Sequence, residues 1–162
     1  MTILAYIATA ALHSPKPTQA GYSVLLVHQQ CEADLHGGGR DTSKGAMLAL
    51  AFIDTLRTIP SQHHLTFIVD RLSGDPTTLR EQWATLALIG RHCSEQEATL
   101  WRQVRLMLAK RGAAVAIRPA NYASRELYLM ERAEGDALKM MWKHGPRPRA
   151  KRKLVTDFAL NR

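Results

Sequence analysis

The 162-residue chain is poor in cysteine, in aromatics and in long apolar runs. Its two cysteines, Cys31 and Cys93, stand in neither a CxxC nor a Cys/His metal spacing. That excludes a disulfide framework and a zinc ribbon. No apolar run reaches the roughly 18–20 residues that span a bilayer. The opening Met1–Leu12 is apolar but has no basic stretch before it, so it reads as a buried strand and not a leader. The expected compartment is the cytoplasm, with no membrane partner. Acidic residues are missing from Met1 to Cys31 and again between Asp41 and Asp54. The Gly37-Gly-Gly-Arg-Asp41 cluster lacks the spaced glycine and the Lys-Ser/Thr of a phosphate-cradling loop.

What is present describes a folded domain. Apolar residues make up 46% of the chain, an ordinary share for a soluble globular protein. One core typically serves roughly 100–200 residues. Charge is uneven: Lys and Arg number 22 against 14 Asp and Glu, a net of +8, yet residues 143–162 hold seven basic groups and one acid, Asp157. The chain therefore divides into a nearly neutral body, 1–142, and a flexible basic C-terminal arm, 143–162. The arm contains Lys143, Arg147, Arg149, Lys151, Arg152 and Lys153 with two prolines. Such a run packs no core and stays extended or flexible unless an acidic partner orders it. It reads as a phosphate-contacting arm, or else as a solvated solubility tail.

Periodicity places the elements. Ile3–Thr9 is apolar on both faces, as a central strand is. After turn material at His13–Pro17, Tyr22–His28 and Gln30–His36 continue an antiparallel meander. Gly37–Asp41 reads as a loop, and Asp41, Thr42 and Ser43 offer caps for a buried helix over Lys44–Leu56 that Pro60 ends. His64–Asp70 is a fourth strand, followed by a helix through Trp83 to Ile89 and another over Gln96–Lys110. Ala113–Arg118 is a fifth strand, and a last helix runs from Arg125 or Glu126 to Trp142. The fold class is α/β, a mixed five-stranded sheet flanked by helices. Trp83, Trp101 and Trp142 sit where helices pack, and Arg102, Arg105, Lys110 and Arg111 read as a solvated helix face. The histidines show no metal-ligand spacing.

The order of elements and several stretches resemble the type 1 ribonuclease H family over roughly residues 1–142. Ala20-Gly-Tyr-Ser-Val-Leu-Leu-Val27 is similar to its first hairpin, and Gly38-Gly-Arg-Asp-Thr-Ser-Lys44 to the approach to its first helix. Thr66-Phe-Ile-Val-Asp70 resembles the family's fourth strand, Thr99-Leu-Trp101 a helix start, and Glu134-Gly-Asp136-Ala-Leu138 the last helix. The resemblance implies a ribonuclease H-like fold. It also implies a chemistry in which two Mg²⁺ ions, about 4 Å apart, cleave the RNA strand of an RNA–DNA hybrid. Four carboxylates would hold those ions. Asp70 and Asp136 match two of them, as catalytic and metal-binding residues. The other two places fall near Ala8 and at Ala46 or Met47, where no acid stands. Asp54 lies about two helical turns beyond Met47, roughly 10 Å away along the axis. Asp41 is the nearby substitute, with helix capping as its alternative role. Ser43 and Lys44 replace two backbone-gripping amides, and the loop Arg118–Ser124 lacks the family's histidine.

The expectation is a nuclease-inactive nucleic-acid-binding protein, serving as a subunit or accessory factor of a nucleic-acid-processing complex. Its nucleic-acid contacts would be Lys44, Arg71, Lys143, Arg147, Arg149, Lys151, Arg152 and Lys153. Partners would be RNA, DNA or hybrid, with other protein subunits. No cofactor is expected unless activity remains, in which case Mg²⁺ serves it. Two alternatives stand beside this reading: a weakly active ribonuclease H using Asp70 and Asp136 with Asp41 or Glu134, and a scaffold that docks on a ribonucleoprotein partner.

Overall fold

The computed structural model describes residues 1–13, 17–70, 95–121, 123–143 and 149–152. Its strands are β1 (Thr2–His13), β2 (Pro17–His28), β3 (Cys31–Arg40), β4 (His64–Val69), β5 (Val115–Pro119) and β6 (Arg149–Arg152). Its helices are α1 (Lys44–Thr58), α2 (Glu95–Arg111) and α3 (Glu126–Lys143). The sheet order is β5-β4-β1-β2-β3-β6. β1, β2 and β3 form an antiparallel meander, and β4 and β5 run parallel to β1. The expected helix over Trp83–Ile89 lies outside the described residues.

Alternation along β1 explains why both sheet faces are covered. Ile3, Ala5 and Ile7 join the core beneath α1 and α2, with Phe52, Phe67 and Trp101. Tyr6 and Ala8 point to the other face, where Leu129, Met130, Ala133 and Ala137 of α3 cover them. Each large side chain removed from water here contributes roughly 1.5–3 kcal/mol. Helix α1 starts at Ser43, whose hydroxyl accepts the Ala46 N–H at 3.0 Å and donates to the Glu97 carboxylate of α2 at 2.7 Å. Of the three caps offered by the sequence, Ser43 is the one used; Asp41 takes a left-handed turn at φ 51 as the chain leaves β3. At the other end, the Arg111 guanidinium donates to the carbonyls of Leu56, Ile59 and Pro60. That grip satisfies carbonyls that a helix end leaves without partners.

Two differences from the expected pattern concern β3. Gly37–Gly39, expected as a loop, continue the strand, paired with Tyr22, Gly21 and Ala20. The reason lies in α3. A Cβ at Gly21 would come within 2.4 Å of the Met141 nitrogen and 2.6 Å of the Ala137 carbonyl oxygen. Gly21 faces Gly38 across the ladder, so the sheet has no side chain at either place and the helix backbone lies directly on it. The second difference is a sixth strand: Arg149–Arg152, inside the basic arm, pairs antiparallel with Leu35–Gly38 on the outer edge.

Candidate functional site

Asp70 follows β4 at its C-terminal end and is exposed. The parallel register pairs Tyr6 with Ile68, so two residues further along Ala8 stands level with Asp70. Ala8 is buried against Ala133 and Ala137. Those two alanines fix the rotation of α3, and Glu134 between them emerges beside the end of β4. Burial, Asp70 and Glu131 all raise the pKa of the Glu134 carboxyl, while the Lys44 ammonium draws it back. The electrostatics thus join three elements: Lys44 opens α1, Asp70 closes β4 and Glu134 projects from α3. Asp136, two residues on and about 200° round the helix, instead pairs with Lys139 at 3.8 Å. The field of Asp70 reaches Glu134 on α3.

The two places without an acid are apolar and packed. Met47 is fully buried in the core, and Ala46 is buried beside its cap bond to Ser43. Asp54 is buried too, accepting the Tyr22 hydroxyl at 3.2 Å. Among the described residues, no three His, Cys, Asp or Glu side chains converge on a metal-sized site. Mg²⁺ asks for several hard oxygen donors in octahedral array. Two carboxylates with an ammonium near them do not fit two such ions.

The basic candidates fall into three sets. Lys44 and Lys143 are exposed at helix ends. Arg149, Lys151 and Arg152 occupy the edge strand at the register positions of Gly38, His36 and Leu35. Arg71, Arg147 and Lys153 lie outside the described residues. Of the tryptophans, Trp101 is buried as expected, Trp142 is 63% exposed against expectation, and Trp83 is outside the described residues. Arg111, grouped with the solvated charges, instead ties the end of α2 to the carbonyls at the end of α1.

Sequence reasoning missed a clamp. Arg118 of β5 donates to both oxygens of Glu126, at 3.0 and 2.6 Å, and the Asn121 N–H adds a third bond at 2.8 Å. Arg118 above all, with the Asn121 bond, holds the Glu126 carboxyl below its ordinary range, against the opposing effect of burial. Glu126 sits in the first turn of α3, where a negative charge also suits the helix dipole. A fork-on-carboxylate pair needs two residues eight apart across a turn, and nothing in the local pattern announces it.

No family model matches the chain, and no curated protein matches it. Solved structures do. A prototype foamy virus protease-reverse transcriptase aligns with TM-score 0.59 and 12% identity, over 87% of this chain and 21% of that one. The N-terminal ribonuclease H domain of a Mycobacterium tuberculosis protein aligns with TM-score 0.52 and 15% identity, over 88% of this chain and 96% of that one. The foamy viral protease-reverse transcriptase in complex with double-stranded DNA aligns with TM-score 0.53 and 7% identity, over 87% and 93%.

The chain has a ribonuclease H-like fold. The order β3-β2-β1-β4-β5 is the ribonuclease H arrangement, to which β6 adds one edge strand. Within this ribonuclease H-like fold, Lys44, Asp70 and Glu134 share the end of the sheet where β4 stops. The chain spans 21% of the first foamy virus protein it matches.

Proposed function

We propose that this protein grips nucleic acid with a ribonuclease H-like domain that does not hydrolyse it, as a subunit or accessory factor of a larger processing assembly. One observation carries the reading: the place level with Asp70 on β1 is Ala8, sealed by Ala133 and Ala137. With Met47 in the core, two of four expected carboxylates are replaced by packed apolar side chains. Two remaining acids cannot clamp both the attacking and the leaving oxygen of a phosphodiester. Lys44, exposed at the start of α1, supplies a positive charge for a phosphate contact. A foamy viral structure of the same fold holds double-stranded DNA, and a basic edge strand offers further phosphate contacts.

The experiment scores binding and cleavage together. Purified protein is incubated with labelled RNA–DNA hybrid, duplexes and single strands in Mg²⁺, Mn²⁺ or EDTA. Binding that persists in EDTA without product is the expected result. Metal-dependent cleavage of the hybrid's RNA strand, lost in Asp70→Asn, would overturn it.

A further inference from the structure

Helix α3 ends in an apolar pair that the fold leaves in water. Trp142 is 63% exposed, and Leu138, one turn before it, is 49% exposed. Residues four apart on a helix are neighbours, so Leu138 and Trp142 form one row, and Lys139 and Lys143 form the next. Both lysines are exposed, Lys139 with 69% of its side chain in water. An aromatic ring packed in a core buries about 150–250 Å². Trp101 takes that gain, and Trp142 forgoes it.

Charge decides what suits this ring. From Ala137 to Thr156 the chain carries seven basic residues and no acid, and Trp142 is the one Phe, Trp or Tyr in that stretch. The end of β3 adds two more cations. Met141 lies against Gly21, which pairs with Gly38. Arg40, exposed, stands two residues further along β3, and Lys44 opens α1 beyond it. The other exposed aromatic ring of α3, Tyr128 at 62%, has mixed surroundings: Glu131 and Arg132 follow it by one turn, and Arg132 is paired with Glu32 at 2.6 Å. Resting on the proposed grip of nucleic acid, we infer that Trp142 is a stacking platform for an unpaired base, and that the preferred ligand is a duplex ending in a single-stranded tail. A ring face among cations fits base and phosphate together, and every base offers such a face, so the contact tolerates any sequence. Bases inside a duplex are stacked on both faces and leave none free for the ring. The ligand therefore contributes an unpaired base, with Lys139 and Lys143 on the phosphates beside it. The ribonuclease H-like body takes the duplex, and the end of α3 takes the tail.

Fluorescence anisotropy of the full chain in EDTA is the test, with thermal melting of each variant as a folding control. The labelled ligands are a blunt duplex, a duplex of equal phosphate number that ends in an unpaired tail, and the single strand of that tail. The tailed duplex should bind tightest. Trp142→Ala should weaken its binding at least about fivefold, the low end for one base stacked on an aromatic ring, and leave the salt slope unchanged because no phosphate contact is lost. Trp142→Phe should keep most of the affinity, and Tyr128→Ala all of it. Lys143→Gln should instead flatten the slope on the single strand by about 0.7. Equal binding of blunt and tailed duplexes overturns the inference, as does a tailed-duplex affinity indifferent to Trp142→Ala or a loss shared equally by the blunt duplex. Each of these leaves the face to a protein partner while the grip on nucleic acid stands. Failure to bind any of the three ligands overturns the proposed grip itself, and the stacking site with it.

Discussion

At the scale of single residues, Glu134 reports on the whole candidate site. Its carboxyl is raised by its own burial, then by Asp70 and Glu131, and lowered by Lys44. Asp70→Asn should therefore bring the Glu134 titration down toward the ordinary value of 4.5, and Lys44→Gln should push it further up. Carbon-detected NMR titration of the glutamates checks both; an unmoved Glu134 in either variant would disconnect the three elements. The Arg118–Glu126 clamp works with the opposite sign. Its carboxyl titrates below 4.5 when folded, so its contribution is complete above that pH and is lost as pH falls through the lowered folded value. Arg118 is 39% exposed, and screening holds the contribution to about 1 kcal/mol. Glu126→Gln should lower the melting midpoint at pH 7, and that loss should shrink as the pH falls further below 4.5. The sequence reading paired Asp70 with Asp136 and kept Glu134 as a helper, whereas in the fold the field of Asp70 acts on Glu134. Which acid that field reaches depends on the rotation of α3 about its axis, which Ala133 and Ala137 set by packing on Ala8.

At the scale of elements, two glycines with opposite surroundings test how α3 is seated. Gly21→Ala drives a Cβ into the α3 backbone at Met141 and Ala137. Backbone cannot swing aside like a side-chain tip, so the cost should reach about 3 kcal/mol or more. Gly135→Ala adds a methyl in open space and should stabilise the protein by about 0.5–1 kcal/mol. Urea denaturation measures both, and equal effects would mean that α3 is not held on the Gly21–Gly38 pair. These positions also mark where the sequence stops being legible. The alternation of Ile3, Ala5 and Ile7 with Tyr6 and Ala8, and the caps and prolines bounding α1, are local signals that gave five strands and three helices in place. Three consecutive glycines look like a loop because glycine carries no strand preference of its own. Gly37–Gly39 are extended because β2 pairs with them, and α3 lies on the bare place at Gly21, opposite Gly38. The basic strand β6 is likewise defined by its neighbour: Arg149–Arg152 lack apolar alternation, and β3 offers an edge.

At the scale of the whole molecule, charge and topology are linked through that edge. A sheet edge left open invites pairing with other chains, and short, positively charged strands are a common protection. β6 fits that role while keeping Arg149, Lys151 and Arg152 at fixed register on β3. If these residues neutralise phosphates, each one releases condensed cations, and the slope of log affinity against log salt on duplex DNA shrinks by about 0.9 for every phosphate no longer neutralised. Truncation after Trp142 removes seven basic groups and one acid and should weaken duplex and hybrid binding while flattening the salt dependence by several such steps. Truncation also strips β3 of its neighbour, so aggregation could mimic weakened binding. Joint substitution Arg149→Gln and Lys151→Gln separates the two effects, because it removes charge and keeps the backbone that pairs with β3. Fluorescence anisotropy from low to moderate salt should then show a slope smaller by about 1.8, the share of two phosphates, with the melting midpoint held. An unchanged slope would assign the edge strand to protecting the sheet alone and leave phosphate binding to Lys44 and the end of α3.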